Sequence, residues 1–259
     1  MTSCFDESPE IYERARPIYP EQMWDELFSH LPTTPSVLEI GPGTGKATGA
    51  LLVRGARVVA CEPGRNLARY LRNKFDTANL EVRNEAFEAS SPGAADYDAV
   101  VAATSFHWVD PLVRVRMAHA TLRPRGNLAV IDTNQVESEA DRGYFRASQP
   151  IYDRYFPDDP SPAPTLPGRN VIPEAFAEIS EAGLFESVEL RRYDWDQRYS
   201  TAAYIDLVRS YSGTAQMNAG RREAFLADLA DFIERDYEGC VVRPLVITMV
   251  LATTREQGA

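Results

Sequence analysis

Residues 37–45 read VLEIGPGTG: an apolar run, Val37 to Ile40, broken only by Glu39, then three glycines in five positions at Gly41, Gly43 and Gly45. Residues 46–54 follow as a helix-compatible stretch. A short apolar run ending in glycine reads as a buried strand, and the glycine cluster as a tight turn into the next helix. Glycine lets a ligand approach the main chain closely, and the free N–H groups at a helix start point towards it. Spacing separates the nucleotide chemistries that use this device. A phosphate loop needs GxxxxGK and then Ser or Thr, but Ile40 stands where its first glycine belongs and Ala47 follows Lys46. A dinucleotide fingerprint, GxGxxG, is met at Gly41 and Gly43 but has Lys46 at its third position.

The alternation continues outward. Residues 57–61 form a second β-rich run ending in Glu62-Pro63-Gly64, and residues 66–75 suit a helix. Strands are expected at residues 80–83, 98–103 and 128–132, with a helix over 113–122 between the last two. Five β–α repeats imply a parallel sheet with right-handed crossovers and helices on both faces. Glu62 lies 21 residues beyond Gly41, at the end of the second strand, where a carboxylate can accept from both hydroxyls of a ribose. Beyond Asp132 the pattern changes. A helix over 141–155 leads into a Pro-rich loop, 156–173, then a helix over 174–182, a strand over 187–193, helices over 201–212 and 221–236, and a last strand over 245–252.

The 259 residues are 44% hydrophobic and 25% charged, with 38 acidic against 27 basic side chains and a net charge of −11. A chain of this size buries roughly three-quarters of its unfolded surface and needs no staple. The acid excess argues against nucleic acid and against anionic membrane, both of which call for clustered Lys and Arg. Cys4, Cys61 and Cys240 make no CxxC pair, so neither a disulfide framework nor a zinc site is readable. No apolar run approaches the roughly 20 residues of a membrane span. A reduced, cytoplasmic setting is expected.

VLEIGPGTG resembles motif I of class I S-adenosylmethionine-dependent methyltransferases, an acidic residue two before a GxGxG turn. That cofactor has no phosphate to neutralise; it carries an ammonium, a carboxylate, a sulfonium, a ribose and an adenine, so a carboxylate beside the loop suits it. Residues 5–20 (FDESPEIYERARPIYP) look like the N-terminal segment of the type 11 group, including trans-aconitate methyltransferase relatives. Residues 102–111 (AATSFHWVDP) resemble the motif after strand four, and residues 122–131 the LxPGGxLxxI turn, with Arg125 in place of its first glycine, a surface change of little expected consequence.

The resemblance implies a Rossmann-like α/β fold: a mostly parallel seven-stranded sheet with helices on both faces and an added helical cap. It implies a single domain, with N-terminal lid helices over 1–35, a cofactor-binding core over 36–133, and the acceptor cap and last strands over 134–259. Tyr12 and Arg16 would belong to the lid closing over the methionine moiety. Glu39, Gly41, Gly43, Gly45, Glu62, Pro63 and Ala103 would line the cofactor. At the third strand two registers stay open: Glu88 as the family's trailing acid, which puts Ala86 and Phe87 at the adenine through backbone and ring contacts, or Glu85 as the acid.

His107 and Trp108 follow strand four at the carboxyl edge of the sheet, where α/β ligands bind. Trp108 either walls the site or packs in the core; His107 either orients the acceptor or takes its proton. His30 and His119 read as structural. After Asp132, most of Tyr144, Phe145, Tyr152, Tyr155, Phe156, Trp195, Tyr199, Tyr204 and Tyr211 are expected to be core, with Tyr211 and Arg243 facing the site. Methyl transfer needs proximity, alignment and exclusion of water rather than a triad or metal, and the sequence offers neither. The expected function is methyl transfer from S-adenosylmethionine to a small-molecule acceptor. The alternatives are an NAD(P)-linked oxidoreductase and a non-catalytic cofactor-binding regulatory protein.

Overall fold

The computed structural model describes residues 19–90, 95–157 and 165–256. Five strands, β1 (Ser36–Ile40), β2 (Arg57–Cys61), β3 (Leu80–Arg83), β4 (Tyr97–Ala103) and β5 (Leu122–Gln135), run parallel. β6 (Phe185–Ser200) and β7 (Cys240–Thr254) complete the sheet, β7 lying antiparallel to both β5 and β6. The order is β3-β2-β1-β4-β5-β7-β6. The chain therefore winds outward from β1 to β3 and then jumps back to lay β4 on the other side of β1. At such a switch point the crevice beyond the strand carboxyl ends is left open for a ligand.

Alternation within the strands sends side chains to two cores. Ala129 and Ile131 pack with α1 (Glu21–Ser29), α2 (Lys46–Val53) and α3 (Arg65–Lys74), through Met23, Trp24, Leu27, Leu51 and Leu71. Leu128 and Val130 pack on the opposite face with α4 (Arg114–Thr121) and α6 (Glu174–Glu181), through Val115, Ala118 and Ile179. Helices thus cover both faces, as the repeat pattern predicts.

The last three strands are longer than the sequence reading of 128–132, 187–193 and 245–252. β4 ends at Ala103, opposite Ile131, whereas β5 continues to Gln135, four residues or about 13 Å further. β6 and β7 stay paired beside it as far as Ser200 and Cys240. On this projecting ribbon sits a third core, built from α5 (Tyr144–Tyr155), α7 (Thr201–Arg209) and α9 (Ala219–Tyr237), with α8 (Ser212–Ala215) as a short turn between the last two. Tyr144, Tyr199 and Tyr204 are buried in it, and Tyr152, Tyr155, Phe156 and Tyr211 are half-buried against it. The cap is therefore an outgrowth of the sheet itself.

Arg125 is a correction. It adopts φ +61°, the left-handed conformation that an L side chain enters at about 1–2 kcal/mol, so the substitution carries a backbone cost. Its exposed ion pair with Glu256 at 3.1 Å offsets little of that. Arg125→Gly is expected to raise stability by about 0.5–1 kcal/mol, once glycine's greater chain entropy in the unfolded state is deducted. A lowered urea midpoint would count against this.

Candidate functional site

The glycine turn opens directly from β1. Gly43 takes φ +58° and a Cβ there would meet no atom within 4 Å, so its conformation requires glycine while its position faces empty space. Gly45, at φ +84°, is different: a Cβ would strike Leu71 Cδ1 and lie 2.6 Å from the Phe75 ring. That glycine lets α3 pack under the loop. Gly41 packs against Ser105, whose Cβ would be 2.7 Å from an added methyl. Lys74 Nζ ties the loop from outside, donating to the Thr44 carbonyl at 2.9 Å.

Two carboxylates stand beside this turn. Glu39 is buried; its Oε2 accepts from Thr48 Oγ1 at 2.6 Å, and its Oε1 is buried with no hydrogen-bond partner. Burial pushes its carboxyl up to about 7, and the nearby charge of Glu62 adds to the effect. A buried acceptor without a partner is costly, and a cationic donor would both satisfy it and restore its charge. Glu62, also buried, accepts from the Gly43 amide at 3.0 Å and the Gly64 amide at 2.7 Å. It thereby clamps the glycine turn to the end of β2. The Asn84 side chain holds this end of β2 in place, donating to the carbonyls of Glu62 at 2.8 Å and Pro63 at 3.2 Å. Pro63 itself is exposed.

After β3, Ala86 is half-buried and precedes a single 3-10 turn, Phe87–Ala89. The Phe87 ring is 2% exposed and packs with Cys61, Phe106 and Val109. It offers the site its backbone and not its ring, which corrects the expected ring contact. Glu88 accepts from the Asp110 amide at 2.9 Å, joining the turns after β3 and β4. Glu85 is half-buried and makes no hydrogen bond among the described residues.

The end of β4 forms the third wall. Ala103 is followed by Thr104 at φ +55°, a conformation in which a β-branched residue is an outlier and which collects at functional sites. Its amide donates to the Ile131 carbonyl at 2.7 Å, and its hydroxyl meets the Tyr19 hydroxyl at 3.0 Å. Ser105 Oγ donates to the Ile40 carbonyl, locking this loop to the glycine turn. His107 and Trp108 are both exposed, Trp108 at 69%, with ring centroids 5.1 Å apart. Trp108 is thus no core residue. Between the buried Phe106 and Val109, this pair is held by Arg114, which donates to both their carbonyls and forks onto Glu178 of α6. Asp132 on β5 is close enough to His107 and Arg114 for their charge to favour its ionised form, although burial outweighs them and raises its carboxyl.

Tyr211 and Arg243 meet, the guanidinium donating to the Tyr211 hydroxyl at 2.7 Å. The same guanidinium donates twice to Gln135 Oε1, at 3.1 and 2.6 Å. Tyr12 and Arg16 lie outside the described residues, as do Cys4 and most of residues 5–20. Sequence reading missed Tyr19, Asn84, Thr104, Ser105, Asp132 and Gln135 as parts of this edge. Asp132 and Gln135 had a signal, polar side chains ending an apolar strand; the others become visible only once the loops converge. Among the described residues no group of three His, Cys, Asp or Glu could hold a metal ion, and no helix is long and apolar enough to cross a membrane.

A family model described as a methyltransferase domain matches residues 37–126. An uncharacterized methyltransferase of Mycobacterium tuberculosis is 31% identical over 214 residues, covering 82% of this chain and 78% of that protein. Among solved structures, a proposed methyltransferase from an antibiotic biosynthesis pathway of Anabaena variabilis superposes with a TM-score of 0.61 at 15% identity, over 91% of this chain and 98% of that one. Phosphoethanolamine N-methyltransferase 2 of Haemonchus contortus, in complex with S-adenosyl-L-methionine, gives 0.55 at 13% identity, over 97% of this chain and 57% of that one. These last two are likenesses of fold.

Proposed function

This chain belongs to the class I S-adenosylmethionine-dependent methyltransferases, and we propose on that footing that it binds S-adenosylmethionine at the glycine turn and methylates a small organic molecule held beneath the cap. Two observations carry the reading together: Gly43 is left-handed and open to empty space, and the Oε1 of Glu39, on the strand that leads into the turn, is orphaned. Such a cradle suits a ligand that brings an ammonium and no phosphate.

When bound, the cofactor would supply an activated methyl group on its sulfonium for transfer to an acceptor lone pair. Glu39 takes the ammonium, exchanging a costly buried carboxyl for an ion pair. Glu62 would take the ribose hydroxyls from the end of β2. Backbone at Ala86 and Phe87 borders the adenine. Ala103, Thr104 and Ser105 form the floor on which the two reactants align, and alignment with exclusion of water supplies most of the rate. Where the acceptor must lose a proton, His107 and Asp132 are the titratable groups at that edge. The cap, with its own aromatic core, and a net charge of −11 favour a small molecule over nucleic acid.

Calorimetry tests the cofactor directly. S-adenosylhomocysteine is expected to bind with one-to-one stoichiometry and NAD not at all. Binding of NAD in its place would return the chain to the oxidoreductase reading.

A further inference from the structure

Arg243 is a half-buried guanidinium that meets no carboxylate among the described residues. Its partners are neutral: Gln135 Oε1 and the Tyr211 hydroxyl. Tyr152, Tyr199 and Tyr204 surround it closely enough to act on its charge. Arg54, Arg114, Arg191 and Arg209, also half-buried, all pair with glutamate or aspartate. With 38 acidic residues against 27 basic ones, the chain has counter-charge in excess, yet none of the described acids pairs with Arg243. Removing a guanidinium from water costs several kcal/mol unless an opposite charge repays it. Dipoles such as an amide oxygen and a phenol fix its orientation and leave its net charge standing.

The donor arithmetic specifies what is missing. A guanidinium has five N–H groups. Nε and one terminal nitrogen each give one to Gln135, and the other terminal nitrogen gives one to Tyr211. One N–H remains on each terminal nitrogen, the number that a carboxylate or phosphate takes in a two-pronged pair. The location agrees. Gln135 ends β5, four residues past the level at which β4 stops, and Tyr152, Tyr204 and Tyr211 belong to the cap core. Arg243 therefore stands where the sheet edge meets the cap.

We infer that the methyl acceptor is an organic oxyanion, a carboxylate or phosphate, anchored through its charge by Arg243 among the cap tyrosines. The inference deepens the small-acceptor reading and rests on it. Gln135 and Tyr211 are positioning residues for the guanidinium, and the tyrosine rings supply an apolar wall for the acceptor's carbon frame.

The test compares benzoate, phenyl phosphate and neutral benzamide titrated into protein saturated with S-adenosylhomocysteine. At least one of the two anions is expected to bind at least about tenfold more tightly than benzamide, with the stronger of the pair telling carboxylate from phosphate. Arg243→Met should erase that preference while changing S-adenosylhomocysteine affinity less than twofold; Arg243→Lys, which keeps the charge without the fork, should retain part of it and serves if the methionine variant does not fold. Equal affinity for benzoate, phenyl phosphate and benzamide, no binding of either anion, or a preference that survives Arg243→Met would overturn the inference. Failure of S-adenosylhomocysteine itself to bind would instead strike the cofactor reading, and the anion titrations, repeated on unloaded protein, would still decide the role of Arg243.

Discussion

Gly43→Val is expected to weaken S-adenosylhomocysteine binding by at least about a hundredfold, roughly 3 kcal/mol, with the protein still folded. An added Cβ would have no protein atom within 4 Å, so the side chain starts into open space that the cofactor is expected to fill. Its φ of +58° adds about 1–2 kcal/mol of backbone strain, which shows as a modest fall in Tm. Gly45→Val provides the contrast. There the new atoms run into Leu71 and Phe75, and the loss appears in stability because α3 must move. A Gly43 variant with undiminished affinity would remove the loop from the cofactor site altogether.

Glu39→Gln should change the pH dependence of the protein in both stability and binding. In the unfolded chain this carboxyl titrates near 4.5, and in the fold at about 7. Between those values the folded protein holds a proton that the unfolded chain has released, so stability falls as pH rises through the window. The full loss is about 3 kcal/mol by pH 8. Glutamine keeps an oxygen for the Thr48 hydroxyl and cannot ionise. The unliganded variant is thus expected to be roughly 1–3 kcal/mol more stable than the parent at pH 8 and to match it below pH 4.5. Binding runs the other way. S-adenosylhomocysteine affinity of the parent should rise between pH 6 and 8 as Glu39 becomes free to pair with the ammonium, and the variant should bind about tenfold more weakly at pH 8, without that rise. Urea midpoints across pH 4–8, paired with calorimetry, check both halves; parallel stability curves for the two proteins would dismiss Glu39 as the source.

Legibility differed sharply between the halves of the chain. From β1 to α4 the pattern is repetitive, and each apolar run ends in a turn signal, so strands and helices fell within a residue or two of their sequence positions. The projecting ribbon was readable in part. From Tyr193 to Ser200 the chain alternates buried or half-buried Tyr193, Trp195, Gln197 and Tyr199 with exposed Asp194, Asp196, Arg198 and Ser200, a period of two that marks a strand with one covered face. Its high charge disguised it, because a buried-strand criterion stops at Tyr193. In β7 the obstacle was Pro244, which has no N–H for the ladder and argues for a break. The strand accommodates it, with the Pro244 carbonyl accepting from Val136 at 3.0 Å.

By itself the sequence determined the strand–turn–helix half. Three glycines at fixed spacing, an acid two residues before them and another at the end of the next strand are local facts, and a strand–turn–helix unit converts local spacing into geometry. It also determined the order of elements from which the sheet is wound. The tertiary structure alone decided what surrounds each charge. The orphaned oxygen of Glu39 depends on what α2 and β2 bring beside it, and the neutral company of Arg243 depends on Tyr211, 32 residues away, and Gln135, 108 away. Whether a buried charge is compensated is a property of every chain segment that could have delivered a partner, and no spacing within one segment records it.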